Sequence, residues 1–310
     1  MKNIFGPVPS RRLGRSLGID VVPYKTCSFD CVYCESGSTT HLTVKRQAFV
    51  MPEVVLQELA DYFHTYPQGV DVITFSSAGE PTLYEPLGDL VRSIKKQFSS
   101  LPLVMITNGS LLWDREVRKD LMAADRVIPS LDAATQEVLE SVNAPHPSLD
   151  LSLIKEGLEA FRKEYHGEFY LEVLLAAGYN DQPEHLRKLS QFIDRLKPDR
   201  VELNTVVRPP AKSNVRGLTE EQMQSVLRFF PEDRTHIVGR YESCSQTKED
   251  SDLAARVVKM VRRRPCTVAE MAASLGVESE NLAAAVLDLE KRNLVICRLF
   301  NDVEYICSPS

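Results

Sequence analysis

No run of about 18 consecutive apolar residues occurs in the 310-residue sequence, and no basic-then-apolar leader opens it. A membrane-spanning helix is thereby excluded and a cytoplasmic location expected. Internal repeats and low-complexity tracts are also lacking, so the fold must be read from the order of its elements. Cysteine is absent before Cys27 and again between Cys34 and Cys244. Seven cysteines are an odd number, and three of them crowd into eight residues, Cys27, Cys31 and Cys34. In a reducing compartment that crowding reads as metal ligation or redox chemistry before disulfides.

The formal net charge of -6 conceals an asymmetry. Residues 1–50 carry seven Lys/Arg against three Asp/Glu, residues 51–250 carry 22 against 32, and residues 251–310 carry eight of each. A basic rim beside an acidic body attracts an anionic cosubstrate or a phosphate-bearing partner. Arg11, Arg12 and Arg15 supply much of that rim, either to hold phosphate or carboxylate or to pair with surface acids.

What the sequence does have is a regular alternation. "SLGIDVVP" (16–23), "GVDVITFS" (69–76), "PLVMITNG" (102–109), "DRVIPSLD" (125–132), "FYLEVLLAAG" (169–178) and "DRVELNTVV" (199–207) are rich in Val, Ile and Leu and read as strands buried on both faces. Amphipathic stretches lie between them, such as "PEVVLQELADYFHTY" and "PEHLRKLSQFIDRLK", both opened by proline. Six such units predict an α/β fold, a partial (β/α)6 TIM-like barrel over residues 1–242 with its chemistry on the loops after the strand C-termini. Residues 243–250 read as a linker. Residues 251–310 read as a small C-terminal winged-helix-like domain: three helices, the second ending at Gly276 and the third capped by Ser279, then two strands joined through Asn301-Asp302. A DNA-reading third helix would be basic, yet residues 279–293 hold three acids and two bases.

Three thiolates leave one position of a metal centre open, as catalysis requires. A [4Fe-4S] cluster on three cysteines keeps one iron free, whereas zinc would need a fourth ligand, with His41 the nearest candidate. The segment Cys27-x3-Cys31-x2-Cys34, with Tyr33 before the last cysteine, a strand just upstream and "SSAGEPTLY" (76–84) after the second strand, resembles the radical S-adenosylmethionine (radical SAM) superfamily over roughly residues 10–240. That resemblance implies a [4Fe-4S] cluster on Cys27, Cys31 and Cys34, whose free iron is chelated by S-adenosyl-L-methionine. Gly79, Glu80 and Pro81 would take the methionine amino group and Tyr33 would lie near the adenine. It also implies reductive cleavage to a 5'-deoxyadenosyl radical and a low-potential electron donor, flavodoxin or ferredoxin.

Polar residues at the other strand ends, Thr107, Asn108, Ser130, Asp132, Glu172, Asn204 and Arg208, need partners if buried. Asn108, Ser130, Asp132 and Asn204 are the candidates for the ribose, adenine or methionine carboxylate. "GPVPSRRLGRSLGIDVVPYKTCSFDCVYCE", "VNAPHPSLD" and "LNTVVRPPA" further resemble prokaryotic iron-sulfur oxidoreductases related to the enzymes that build wyosine on transfer RNA. Those enzymes carry extra cysteines before the main motif, and this chain has none there. The missing cysteines speak against the wyosine reaction itself, while the resemblance makes a nucleoside or tRNA the first substrate expectation and a peptide or protein held by the C-terminal domain the second. An iron-sulfur redox sensor that binds DNA is an alternative of another class. Cys244, Cys266, Cys297 and Cys307 would serve either a second cluster or the core, and His146 either a substrate or the next helix.

Overall fold

The computed structural model describes residues 2–10, 12–66, 69–238 and 253–309. Arg11, Cys244 and the expected linker at 243–250 lie outside them. Its strands and helices are β1 (Ile4–Ser10), β2 (Gly14–Ile19), β3 (Thr26–Cys27), β4 (His41–Leu42), α1 (Pro52–Thr65), β5 (Val72–Phe75), α2 (Leu87–Gln97), β6 (Leu103–Thr107), α3 (Arg115–Leu121), β7 (Arg126–Pro129), α4 (Gln136–Val142), α5 (Leu151–Glu164), β8 (Glu168–Leu175), α6 (Pro183–Leu196), β9 (Arg200–Thr205), α7 (Glu220–Leu227), β10 (Thr235–Ile237), α8 (Leu253–Val261), α9 (Val268–Leu275), α10 (Ser279–Lys291), β11 (Ile296–Phe300) and β12 (Val303–Cys307).

The main sheet runs β1-β2-β5-β6-β7-β8-β9-β10. It is parallel from β2 to β10, and β1 is added antiparallel to β2. Among the described residues the sheet does not close, so the barrel is partial, with β1 and β10 as its edges. Leu17, Ile73, Leu103, Val127, Phe169 and Val201, one from each of the six central strands, are all fully shielded from water. β8 departs from the expected two-sided burial: Phe169, Leu171, Val173 and Leu175 are buried, while Tyr170, Glu172 and Leu174 between them are only partly so. The strand's two faces therefore differ, one apolar and one carrying the carboxylate of Glu172.

The barrel's flanks are also tied by charge. Arg12, in the β1–β2 turn, donates to Glu172 on β8 and to Glu202 on β9. Burial works against its guanidinium, but the two carboxylates outweigh that and raise its pKa. Arg15 pairs at the surface with Asp71. Both described arginines of the basic N-terminal rim thus have acidic partners.

The C-terminal segment starts α9 with a Thr267/Glu270 capping box and ends it at Gly276, whose φ of +67° suits a residue without Cβ. Asn301 and Asp302 turn the β11–β12 hairpin with φ of +49° and +60°. Ser279 is the first residue inside α10 and not its cap; that place belongs to Glu278, whose side chain makes no capping bond. The segment packs on both flanks of the barrel. Lys259 donates to the Ile4 carbonyl and Arg263 pairs with Asp20 at 3.1 Å. Phe300, Tyr305 and Cys307 share an apolar cluster with Val32, Ala176, Val206 and Val215. At the centre of this interface Arg208, 3% exposed, bridges Glu35 (3.1 Å) and Glu270 (2.7 Å). Removing one partner from a buried ion group leaves charge uncompensated. Arg208→Ala is therefore expected to destabilise the chain by about 3 kcal/mol in urea denaturation; an unchanged midpoint would remove Arg208 from the interface's energetics.

Candidate cofactor site

Cys27 ends β3 and Cys31 and Cys34 lie on the loop that follows, which neighbouring segments hold by backbone hydrogen bonds. His146 N donates to Ser28 O, Asp30 N to Asn143 O, Val32 N to Val142 O and Lys212 N to Val32 O. From below comes the turn after β5: Glu80 N donates to Thr26 O at 3.0 Å and Lys25 N to Ala78 O. A Cβ on Gly79 would stand 2.0 Å from Thr26 O, so only glycine lets the two backbones meet.

Glu80 is fully buried, yet its carboxylate accepts from Thr82 N (3.0 Å), Thr82 Oγ1 (2.7 Å), Thr107 Oγ1 (2.6 Å) and Asn108 N (2.8 Å). Burial raises its pKa and these donors oppose the rise. Its donors come from its own turn, at Thr82, and from the end of β6, at Thr107 and Asn108, which fixes where Asn108 stands. Pro81 opens a single 3-10 turn, Pro81–Leu83.

Each cysteine sulfur receives one side-chain N–H. Asn108 Nδ2 approaches Cys27 Sγ at 3.6 Å, Asn143 Nδ2 approaches Cys31 Sγ at 3.5 Å, and Lys25 Nζ donates to Cys34 Sγ at 3.0 Å. Burial pushes the Cys27 thiol up to about 12, and it pushes Cys31 well above its ordinary value, with Cys34 and Cys27 adding to it. Thiolates in such a place need compensating positive charge, which bound iron provides. Among the described residues no three His, Cys, Asp or Glu side chains converge as one metal ion would require, and His41 is exposed. A zinc site with His41 is therefore not built. In a cluster the thiolates sit on separate irons, so this donor set fits it.

Beside the loop lies a narrow cavity lined by Phe29, Tyr33, Asn108, Ser130, Asp132 and Asn143, among others. Tyr33 Oη donates to Asp132 Oδ2, Asn143 Nδ2 donates to the same oxygen at 2.8 Å, and Leu174 N donates to Oδ1 at 2.8 Å. Burial dominates these donors and raises the Asp132 pKa to about 6. Four of the residues proposed from the sequence, Tyr33, Asn108, Ser130 and Asp132, thus surround one space. Asn204 stands apart on β9, where its Oδ1 accepts from Thr205 N. Glu172 is turned to Arg12, Arg208 to Glu35 and Glu270. His146 holds Ser148 through Nδ1, and α5 is capped by Asp150 instead.

Sequence reasoning missed Asn143 and Lys25. Asn143 is 3% exposed and its Oδ1 has no hydrogen-bond partner. It ends α4, a helix of seven residues too short for its periodicity to stand out, although it lies inside the quoted "VNAPHPSLD". Lys25 stands two residues before Cys27, where a sequence shows a lysine but not its burial. Cys297 and Cys307 do not meet: the hairpin pairs Cys297 with Ile306 and Cys307 with Ile296, which sends the two thiols to opposite faces.

A family profile described as the radical SAM superfamily matches residues 21–192. A protein named GTPase Obg, from Brachyspira hyodysenteriae, is 34% identical over 304 residues, covering 97% of this chain and only 44% of that longer one. A UPF0026 protein of Methanocaldococcus jannaschii is 34% identical over 267 residues, 83% of each chain. RlmN of Nitratidesulfovibrio vulgaris, named a dual-specificity RNA methyltransferase, is 27% identical over 195 residues, 60% of this chain and 51% of its own. Among solved structures, TYW1 with a lysine-pyruvate adduct bound shares the fold with a TM-score of 0.54 at 17% identity, covering 78% of this chain and 79% of that one.

Two outcomes are expected. Gly79→Ala should force Thr26 away and cost about 2 kcal/mol, with lower iron uptake on reconstitution; normal uptake would mean the turn tolerates the shift. Asp132 binds its proton more tightly folded than unfolded, so its contribution makes stability fall as pH rises from about 4 to about 6. Asp132→Asn should remove a slope worth about 3 kcal/mol from urea denaturation of the metal-free chain. An unaltered slope would show that Asp132 does not titrate there.

Proposed function

The chain belongs to the radical SAM superfamily, whose enzymes use a [4Fe-4S] cluster with S-adenosylmethionine; from that premise we propose that Cys27, Cys31 and Cys34 hold the cluster and that the substrate is a nucleoside carried in an RNA. When bound on these cysteines, the cluster would supply the electron for splitting S-adenosylmethionine into methionine and a 5'-deoxyadenosyl radical, which would take hydrogen from the substrate. The observation that carries this reading is the convergence of Cys27, Cys31 and Cys34 beside one another, each met by a side-chain N–H from Asn108, Asn143 or Lys25.

In the cavity beside the cysteine loop the chain's own groups bind and orient. Tyr33, held by Asp132, offers an aromatic face for the adenine, while Ser130 and Asn108 offer hydrogen bonds to the ribose or methionyl end. Gly79, Glu80 and Pro81 act one step back: the turn supports Thr26, and Glu80 sets Asn108. Phe29, Leu131 and Leu139 line the same space and exclude water from it. A low-potential flavodoxin or ferredoxin would deliver the electron.

The RNA reading is supported by the similarity to a protein named as an RNA methyltransferase. It draws no support from Arg12 or Arg15, which are committed to Glu172, Glu202 and Asp71. A second reading, a peptide or protein substrate, is favoured by the place of residues 253–309 beside the cysteine loop and by Leu299, 74% exposed on the hairpin. We take residues 1–242 as the barrel domain and 251–310 as a smaller one in both readings.

The test is anaerobic. Reconstituted and reduced protein given S-adenosylmethionine should form 5'-deoxyadenosine, and Cys31→Ala should form at least 100-fold less. No product from a loaded wild-type chain, with or without RNA, would sink the proposal. Binding to tRNA should weaken steeply as salt rises, whereas a protein indifferent to RNA would favour the peptide reading.

A further inference from the structure

Of the three N–H groups that meet the cysteine sulfurs, two belong to neutral amides and one to an ammonium. Lys25 is 2% exposed, and its Nζ lies 3.0 Å from Cys34 Sγ. Among the described residues no carboxylate pairs with it, and the charges that act on it are those of Cys34, Cys27 and Cys31. Its backbone is fixed as firmly: Lys25 N donates to Ala78 O, and Lys25 O accepts from Thr40 N and His41 N. It also holds a φ of +57°, which a lysine adopts only at a cost. A long, flexible, strongly hydrated side chain has been buried in a strained backbone setting and aimed at sulfur.

From this geometry we infer that Lys25 is a fixed counter-charge for the cluster, and that its ammonium raises the cluster's reduction potential. The inference rests on the reading that Cys27, Cys31 and Cys34 are the ligands. Reduction adds one negative charge to the centre, and a nearby cation stabilises the reduced form more than the oxidised one. Low dielectric strengthens that preference, and burial keeps salt from screening it. Asn108 and Asn143 donate hydrogen bonds to the other two sulfurs without bringing a charge, so the effect should be concentrated at Cys34. The position is therefore specific for a cation and not merely for a donor.

The experiment is a redox titration of the reconstituted full chain, followed by the electron paramagnetic resonance of the reduced cluster, with iron and sulfide counted for each sample. Lys25→Arg should keep a potential close to wild type. Lys25→Gln and Lys25→Met should each make reduction at least tenfold less favourable, which is 59 mV for one electron. A fully loaded Lys25→Met protein that titrates at the wild-type potential overturns the inference and leaves the ligand reading intact. Chains with Cys27, Cys31 or Cys34 replaced by alanine that all retain four irons overturn the ligand reading itself. If the neutral variants take up no cluster, wild-type protein labelled with 15N-lysine decides: a lysine nitrogen coupled to the reduced cluster is expected, and its absence overturns the inference.

Discussion

The half-buried sulfurs of Cys27, Cys31 and Cys34 each receive a hydrogen bond from a side-chain N–H, and much of the surrounding structure serves to place those three donors. Burial, more than any other cause, pushes the Cys27 and Cys31 thiols upward, so polar groups in such a place need donors at fixed positions. The donors come from three separate parts of the chain: Lys25 ahead of the loop, Asn108 after β6 and Asn143 at the end of α4. Each has its own support. Glu80 fixes Asn108, Asp132 fixes Asn143 together with Tyr33, and the Ala78–Gly79 turn holds Lys25 and Thr26. The parallel strands matter here because they bring these loops to one end of the sheet.

The six central strands were legible because each is a short Val, Ile and Leu run, and their limits in the structure fall within or close to the segments read from sequence. β1 was not, since "IFGPVPS" contains two prolines and a glycine and pairs only at the sheet's edge. The three cysteines and the Gly-Glu-Pro turn are visible as spacing and as a rare residue combination. Asn143 and Lys25 are visible as neither, since what distinguishes them is burial and direction, which arise only when α4 and the cysteine loop pack together. Glu80 shows a subtler limit: sequence marks it as important near the site, but only the packed structure reveals that Thr82, Thr107 and Asn108 donate to its carboxylate.

The open barrel poses a different problem, that of a sheet with two free edges. Ion pairs and packing solve it in place of further strands. Arg12 links the β1–β2 turn to β8 and β9, while residues 253–309 cover Ile4 and Asp20 on one flank and Val206 and Arg208 on the other. Glu270 illustrates the economy of the join, for one carboxylate caps α9 through Thr267 N and receives Arg208.

That covering segment is also the last part of this sequence to be synthesised. The barrel residues leave the ribosome ahead of residues 253–309, and domains tend to fold in the order they emerge. Val32, Tyr33 and Glu35 have then not yet received their C-terminal neighbours. The order of the chain thus separates two moments, one in which the barrel stands without its C-terminal neighbours and a later one in which they pack against Val32 and pair Glu270 with Arg208.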